Sequence, residues 1–374
     1  MYIIRYSLQH NDNYIKMGKT MNNFKLKTSL LSLALALPAF ASHAAADTSK
    51  EALQAQLSEI QNRLEQLEGA KGPSSDNTSI GFYGSLRPTF GLTNQDSADS
   101  WDVGDALSRI GVAAEHKLNG GLVGFAKGEF KIDISNNGDF GEARKAYVGI
   151  KGDFGRVAIG KQDTTQYAII GDPVDIFNRA ATPLAYDDAS TFRQQQLVSY
   201  RKSVGNLDFR IEAQFNGSDA TNEGSDLVNG GVKYNGDGFT VAAAYQTKDL
   251  AGTDKNTFGV SASKSFGDLY VAAAYQDIDN GGNGQDQNTI DVVGAYKINA
   301  AYKVKVGYGV FSDDLAAANS KEITRINTTV EWHGSPDYYL FAEFQNNSYD
   351  TEAVGREDSN QFMVGMRYNF DYKF

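Results

Sequence analysis

Apolar and polar residues alternate with a period of two through most of the chain from Ile80 onward. The last strand is the clearest example, because every second residue from Phe362 to Phe374 is apolar and most of the residues between them are polar. Side chains of successive strand residues point to opposite faces of a sheet. The pattern therefore predicts β-strands that have one apolar and one polar face.

About 16 such runs follow one another, an even number, as in bacterial membrane barrels. Short turns such as Gly267-Asp268 alternate with longer polar loops such as Thr93–Gly104 and Asp277–Asn288. Short turns at one end and long loops at the other are typical of an up-and-down barrel in an outer membrane. We therefore predict an all-β fold, a closed antiparallel transmembrane β-barrel over residues 80–374. A soluble β-sandwich is the alternative, although its connections would be of more similar length.

The alternation stops for the whole of residues 162–194. With Ile169, Ile170 and Phe177, this segment is too apolar for a solvated tail. A connection this long without regular structure is usually functional. We predict that it folds into the barrel and narrows it; an irregular surface loop is the alternative.

Residues 1–46 have the order of a secretory signal peptide. Lys25 and Lys27 precede the apolar stretch Leu30–Phe40, and small residues up to Ala46 follow. We expect cleavage after Ala44 or Ala46, while the residues before Met21 lie outside the pattern. A membrane anchor is the alternative, but the apolar stretch is short for a span.

Residues 47–70 predict a short coiled coil. Apolar residues follow the heptad spacing 4-3-4-3 from Leu53 to Leu67, which implies a parallel oligomer. A single amphipathic helix lying on the protein is the alternative. Residues 71–79 read as a linker. Both ends of an even-stranded meander fall on the short-turn side, so we expect the coiled coil in the periplasm.

The composition argues against catalysis and against a metal or cofactor. The chain has no Cys, so thiolate catalysis, thiolate metal sites and disulfides are excluded, and its four His are scattered. Gly155–Lys161 has the spacing of a phosphate loop, but Gln162 stands where Ser or Thr would bind Mg²⁺. The formal net charge of −11 argues against nucleic acid as a partner.

The polar strand face should line the barrel interior, because the apolar face would meet lipid. A barrel of about 16 strands leaves an aqueous channel. We expect lumen charges such as Lys305, Glu331 and Glu343 to be solvated there. Asp172, Asp175, Asp187 and Asp188 of the long loop would stand opposite basic wall residues, and the resulting field would favour polar solutes.

Several segments carry a resemblance to a known family: Phe82-Tyr83-Gly84, Ala146–Ile150, Gly155–Lys161, Ala185–Asp188 and Ser199–Arg201, with the terminal Phe374. Over nearly the whole barrel, the chain resembles the general trimeric diffusion porins of Gram-negative outer membranes. The resemblance implies a 16-stranded barrel, a homotrimer and a third loop that folds into the pore. It also implies that the barrel assembly machinery reads Phe374, and that the barrel meets outer-membrane lipid and lipopolysaccharide.

The same resemblance implies the residues of a pore constriction. Arg109, Lys161 and Arg193 fall where the family places its basic cluster. Ser85 stands where the family often has another lysine, and we expect Arg87, two residues on and on the same face, to replace it. The family's Pro-Glu-Phe-Gly-Gly loop tip is absent, and Asp172–Phe177 occupies that region. The alternative for each charge is a solvated lumen residue without a special role.

These patterns predict a passive, water-filled channel of the cell outer membrane for small hydrophilic solutes and ions, and not an enzyme. A substrate-selective porin, for oligosaccharides or anions, is the first alternative. A structural or adhesive barrel that anchors the coiled coil is the second.

Overall fold

The computed structural model describes residues 77–95, 98–136, 138–182, 192–217, 225–249, 253–281, 286–313, 321–350 and 358–374. The predicted signal peptide and coiled coil lie outside the described residues, and so does the linker up to residue 76. Asp187 and Asp188 of the long loop also lie outside them.

The described chain is almost entirely β-strand. The strand segments are β1 (Thr78–Leu86), β2 (Pro88–Gln95), β3 (Ala98–Asp105), β4 (Arg109–Lys117), β5 (Val123–Ile132), β6 (Phe140–Gly152), β7 (Gly155–Asp163), β8 (Arg193–Val204), β9 (Leu207–Gln214), β10 (Leu227–Asn235), β11 (Phe239–Asp249), β12 (Asp254–Phe266), β13 (Leu269–Asp279), β14 (Gln287–Lys297), β15 (Tyr302–Asp313), β16 (Lys321–His333), β17 (Tyr338–Asp350) and β18 (Ser359–Lys373). A short 3-10 turn, Asn119–Gly121, joins β4 to β5.

The segments form a closed barrel of 16 antiparallel strands. Segments β1 and β2 are two halves of one strand, since both pair with β18 and only Arg87 separates them. Segments β3 and β4 are likewise one strand, because they pair with β2 and β1 in turn. The predicted fold and strand number are therefore confirmed.

The last residue of the chain takes part in closing the barrel. The backbone N–H of Phe374 donates to the carbonyl of Ile80 at 2.9 Å, and the N–H of Ile80 donates to the carbonyl of Phe374 at 3.1 Å. The Phe374 side chain is exposed. Its ring therefore lies on the surface at the short-turn end, while its backbone completes the ladder.

Where the structure describes them, the connections alternate in length largely as the sequence predicts, but some segments expected to be long loops are paired strand. The segment Thr93–Gly104 was expected to be a long polar loop, but β3 runs through most of it and pairs with β2 as a hairpin. Trp101 and Val103 are exposed, and the Trp101 ring stacks on Phe90 with centroids 5.3 Å apart. The prediction failed because the aspartates of this strand obscured the alternation of its apolar residues.

The two faces of the wall differ in polarity along the predicted period. On β18, Phe362, Val364, Met366 and Tyr368 are all exposed apolar side chains on the outer face. Residues on the inner face are mostly polar, and many become buried where the long loop covers them. Among the described residues, no helix is long and apolar enough to cross a membrane.

The long loop enters the lumen directly after β7. It begins with a short π-helix, Tyr167–Gly171, and its apolar side chains Ile169, Ile170, Val174 and Phe177 are buried against the inner wall. Their partners on that wall are small or short side chains: Ala242, Ala244, Ala272, Ala274 and Val293. The predicted inward fold of this loop is confirmed.

Three glycines make the wall shallow enough to accept the loop. A Cβ on Gly307 would lie 2.6 Å from Cζ of Phe177, and one on Gly231 would lie 2.6 Å from Cδ1 of Ile169. At Gly259 a Cβ would overlap the Gln166 side chain. The missing side chains on β10, β12 and β15 therefore form the seat of the loop.

We predict that Gly307→Ala destabilises the loop seat by about 1–3 kcal/mol, the usual cost of overpacking a buried contact. The matched control is Gly294→Ala on neighbouring β14, where a Cβ would meet only ordinary contacts at 3.7 Å and beyond. Chemical unfolding in lipid vesicles measures both free energies of unfolding. Equal stability of the two variants would contradict this account of the seat.

Candidate functional site

The long loop that enters the barrel after β7 is called the lumen loop below. The buried carboxylate of Glu343 on β17 holds its far end. It accepts three backbone N–H groups: from Asn178 to Oε2 at 2.9 Å, and from Arg179 and Ala180 to Oε1 at 2.7 and 2.6 Å. The hydroxyl of Thr329 also donates to Oε2 at 2.7 Å. Glu343 is only 1% exposed, so these hydrogen bonds replace its hydration shell.

A buried ion pair lies beside this anchor. Lys305 Nζ is 2.5 Å from Oε1 of Glu331, and it also donates to the carbonyl of Ile176 at 2.6 Å. The side-chain amide of Asn178 donates to the same Oε1 at 3.2 Å. The expectation that Lys305, Glu331 and Glu343 are solvated was wrong, because the loop covers all three. Lys305 and Glu331 form an ion pair instead, and Glu343 accepts hydrogen bonds from the loop.

These contacts draw the loop to one side of the lumen. Gln166 donates to Gln276 on β13 at 2.8 Å, Ser261 on β12 donates to the carbonyl of Ile169 at 2.6 Å, and Tyr270 donates to that of Pro173 at 2.8 Å. The loop therefore packs against β10–β17. A cavity of about 290 Å³ remains between the loop and the opposite wall.

Charged side chains dominate the lining of this cavity. From the wall come six basic and two acidic residues: Arg87, Arg109, Arg144, Lys145, Arg193, Arg367, Glu129 and Asp163. From the loop come Asp172 and Asp175. The cavity thus has a largely basic wall that faces an acidic loop.

Half of these cations are in ion pairs with wall carboxylates. Nε of Arg144 lies 2.9 Å from Oε1 of Glu129, and Nε of Arg193 lies 3.0 Å from Oδ1 of Asp163. Lys145 pairs with Asp163 as well. These pairs reduce the net charge that the strands β5–β8 present to the cavity.

The other three cations, Arg87, Arg109 and Arg367, have no carboxylate oxygen within 4.0 Å among the residues described. Arg87 is only 6% exposed; its Nε donates to the hydroxyl of Ser85 at 2.8 Å, and one terminal nitrogen is buried without a partner. Arg367 donates to Asn369 at 3.0 Å and to the Tyr339 hydroxyl at 3.1 Å. This part of the wall therefore carries an uncompensated positive charge.

The loop acids sit close together on the other side of the cavity. The Tyr167 hydroxyl donates to Oδ2 of Asp175 at 2.8 Å. Although the Asp175 side chain is exposed to the lumen, desolvation by the surrounding protein raises the pKa of its carboxyl to about 6, against the hydrogen bond from Tyr167. Desolvation, followed by repulsion from Asp163, also raises the pKa of Asp172. The loop charge is consequently sensitive to mildly acidic pH.

The structure brings five of the predicted site residues to this cavity: Arg87, Arg109, Arg193, Asp172 and Asp175. Lys161 is elsewhere. Lys161 lies on the same outer face of β7 as the exposed Ile159, and its strand partner is Ala146 of β6. Its Nζ is 3.9 Å from Oε2 of Glu142. Asp187 and Asp188 lie outside the described residues.

Sequence reasoning missed three basic residues of the lining. The parity of β18 places Arg367 on its polar face, so its inward position could have been inferred. Arg144 and Lys145 are adjacent in sequence, yet both line the cavity, because the ladder between β5 and β6 is irregular at Glu129/Phe130. A period of two cannot predict this arrangement.

A closed antiparallel barrel of 16 strands with a charged, loop-lined lumen defines a channel-forming barrel of the outer-membrane type. The chain belongs to the Gram-negative porin family, whose model matches residues 32–373. It is an outer-membrane porin.

Among the described residues, no group of three His, Cys, Asp or Glu side chains could hold a metal ion.

Three known proteins show the extent of the similarity. The monosaccharide porin of Halomonas sp is 29% identical over 79% of this chain and 84% of its own length. The trimer form of OmpT, an outer membrane protein of Vibrio cholerae, has a TM-score of 0.64 at 22% identity, over 79% of this chain and 100% of its own. The anion-selective porin from Comamonas acidovorans has a TM-score of 0.65 at 18% identity, over 78% and 100%.

We predict that Glu343→Gln releases the far end of the loop, because one amide oxygen cannot replace two carboxylate oxygens toward three N–H donors. The expected loss is about 3 kcal/mol in the free energy of unfolding, together with noisier single-channel current. Glu322→Gln, at an exposed position on β16, is the control. If both variants keep wild-type stability and current noise, Glu343 is not the anchor.

We predict that the channel becomes more anion-selective as the pH falls from about 7.5 to about 5. The raised pKa of Asp175 means that its carboxyl becomes neutral near pH 6 and removes a negative charge from the loop. Reversal potentials across a KCl gradient measure the change. Asp175→Asn should reduce the pH dependence, whereas Asp268→Asn in a short turn should leave it intact. An Asp175→Asn channel that titrates like the wild type would exclude this group.

Proposed function

We propose that this porin is a passive diffusion channel for small hydrophilic solutes, and that the cavity between the lumen loop and the arginine-bearing wall is its constriction. The observation that carries the proposal is the opposition of Asp172 and Asp175 on the loop to Arg87 and Arg109 on the wall. The channel would work without chemical turnover.

The opposed charges give the constriction a transverse field. A polar solute can align its dipole with such a field and so offset part of its lost hydration, whereas an apolar solute cannot. The anchoring of the loop by Glu343 supports a constriction of fixed width. In this proposal the wall selects by charge, and the loop selects by size.

Selective transport of anions is the second candidate. It is favoured by the positive charge of Arg87, Arg109 and Arg367, which no carboxylate within 4.0 Å balances in the described part of the chain. The anion selectivity of the Comamonas acidovorans porin shows that a similar barrel can have this property. Saccharide selectivity draws support only from the name of the Halomonas relative. A purely structural barrel is disfavoured by the open cavity.

The assembly that we propose is a homotrimer in the outer membrane, supported by the similarity to a trimer form of OmpT. Residues 1–46 would be the export signal, residues 47–70 a coiled coil in the periplasm and residues 71–79 the linker. The barrel assembly machinery would read Phe374, whose ring is exposed in the folded barrel. Outer-membrane lipid and lipopolysaccharide would contact the apolar outer face.

Purified protein in planar lipid bilayers tests the channel itself. We expect stepwise increases in KCl conductance, and we expect swelling of liposomes in solutions of small sugars. A protein that inserts as a folded barrel but gives no conductance steps would refute the diffusion channel.

We predict that the double variant Arg87→Gln with Arg109→Gln shifts the reversal potential toward cation selectivity, because it removes two uncompensated charges from the constriction. Lys161→Gln is the matched control, since it removes a positive charge that lies outside the cavity. The same reversal-potential measurement compares them. A shift in the Lys161 variant equal to that of the double variant would move the selective site away from the cavity.

A further inference from the structure

A second group of basic side chains lies in the lumen, nearer to the short turns than the constriction. Arg156 on β7 is directly opposite Arg201 on β8, and Arg201 is directly opposite Arg210 on β9. We call these three residues the arginine rung. Their sequence neighbours Tyr200 and Phe209 are exposed apolar residues of the outer face, so the rung itself faces the lumen.

The backbone of the rung lies at a different level of the wall from the constriction, although the Arg201 side chain reaches back to the carbonyl of Asp163 at 3.4 Å. Arg156 is paired with Lys151 on β6, and Lys145 of the constriction lies six residues earlier on that strand. At about 3.3 Å per residue, the Cα atoms of Lys151 and Lys145 are about 20 Å apart along the strand. Since the short turns of such barrels face the periplasm, the rung lies in the periplasmic half of the lumen.

Acidic residues balance only part of this charge. Arg210 pairs with Asp208, from Nε at 3.0 Å and from a terminal nitrogen at 2.8 Å, and the flanking Lys151 pairs with Glu115 at 2.5 Å. Among the residues that the structure describes, neither Arg156 nor Arg201 has a carboxylate oxygen within 4.0 Å. Two guanidinium groups of the rung are therefore without an ion pair.

Arg201 has unused hydrogen-bonding capacity. One terminal nitrogen donates to the backbone carbonyl of Asp163 at 3.4 Å, and Nε is buried without a partner. Glu212, two residues beyond Arg210 on the same face, accepts the backbone N–H of Thr165 at 2.6 Å instead. In the part of the chain that the structure describes, this carboxylate has no arginine or lysine nitrogen within 4.0 Å, so it does not form an ion pair with Arg201.

Two aromatic rings hold Arg156 in the lumen. Its guanidinium carbon lies 4.4 Å from the ring centre of Phe125 and 5.3 Å from that of Tyr147. Cation–π contacts of this kind fix the direction of an arginine but leave its N–H groups available at the edge. Arg156 therefore presents donors to the lumen without a carboxylate partner among the described residues.

Like charges directly opposite one another on neighbouring strands destabilise a sheet. An anion between them would relieve this repulsion, and guanidinium groups match the paired oxygens of carboxylates and phosphates. We propose that the arginine rung is a second anion-binding site, specific for the carboxylate or phosphate group of a small solute. This proposal rests on the channel function, because its ligand must reach the rung through the lumen.

Basic residues also connect the two levels of the lumen. Lys127 on β5 is opposite Tyr147 on β6, and its ammonium lies 4.6 Å from the ring centre of Tyr83. An anion that leaves the constriction would pass Lys145 and Lys127 before it reaches Arg156. The proposed path descends along β5–β9, on the side of the lumen away from the Glu343 anchor.

Adjacent residues of β8 provide a matched test. Arg201 faces the lumen, while Lys202 is opposite the exposed Phe209 on the outer face and donates to the carbonyl of Asp153 at 2.6 Å. We would measure the block of KCl current through single channels by inorganic phosphate and by gluconate, with glucose as the neutral analogue of gluconate. Each probe is added to either side of wild type, Arg201→Gln and Lys202→Gln.

We expect saturable block of the wild-type channel by phosphate and gluconate, stronger from the short-turn side, and none by glucose. Arg201→Gln should raise the half-blocking concentration roughly three- to tenfold, the effect of losing one charge-assisted hydrogen bond, while Lys202→Gln should leave it unchanged. Block by gluconate alone or by phosphate alone would identify which oxyanion group binds.

Conduction by the Arg201 variant separates the two proposals. The anion site is refuted, and the channel stands, if Arg201→Gln gives normal KCl steps but phosphate and gluconate block it at the wild-type concentrations. The same conclusion follows if Lys202→Gln raises the half-blocking concentration as much as Arg201→Gln does. If wild type gives no steps, the channel function itself fails. Should Arg201→Gln not fold, Arg156→Gln is the second variant. We expect the same rise in its half-blocking concentration, and block at the wild-type concentration would refute the anion site.

Discussion

The structure depends on one constraint, which is that every strand must find a partner on both edges. Backbone N–H and C=O groups in a lipid bilayer have no water to bind, so only a closed ladder satisfies them. Here the ladder closes through β1 and β18, and the last pair of hydrogen bonds joins Ile80 to Phe374. Closure fixes which face of each strand points outward, and the period-two pattern then supplies apolar side chains to that face and polar ones to the lumen.

The lumen loop turns this hollow barrel into a structure with a defined interior. Exposure of its apolar side chains to the water of the channel would be unfavourable. They are buried instead, because Gly231, Gly259 and Gly307 leave room for them against the wall. The loop could still lie at several heights along such a smooth seat. The carboxylate of Glu343 removes that freedom, since it binds three consecutive backbone N–H groups. Apolar contacts thus hold the loop to the wall, and directional hydrogen bonds set its position.

The docked loop also determines which charges remain active. Under the loop, Lys305 and Glu331 are desolvated and form an ion pair, and Glu343 is saturated with hydrogen bonds. Away from the loop, Arg87 and Arg109 keep their positive charge and face loop carboxylates across the cavity. The barrel therefore has one side on which charges are paired and buried under the loop, and another on which Arg87, Arg109 and Arg367 have no carboxylate oxygen within 4.0 Å among the described residues.

The sequence by itself determined the barrel, the number of strands, the inward face and the loop that interrupts the pattern, because these depend on periodicity and closure. It also indicated Arg87, Arg109, Asp172 and Asp175, whose parity or place in the loop brings them to the lumen. Only the tertiary structure decided which charges are paired and which are not, because the ion pairs join residues that are distant in sequence. It also placed Lys161 on the outer face with Ile159, and it brought the adjacent Arg144 and Lys145 together at the cavity. An irregular ladder changes which residues face inward, and a pattern of single residues does not record the partner strand.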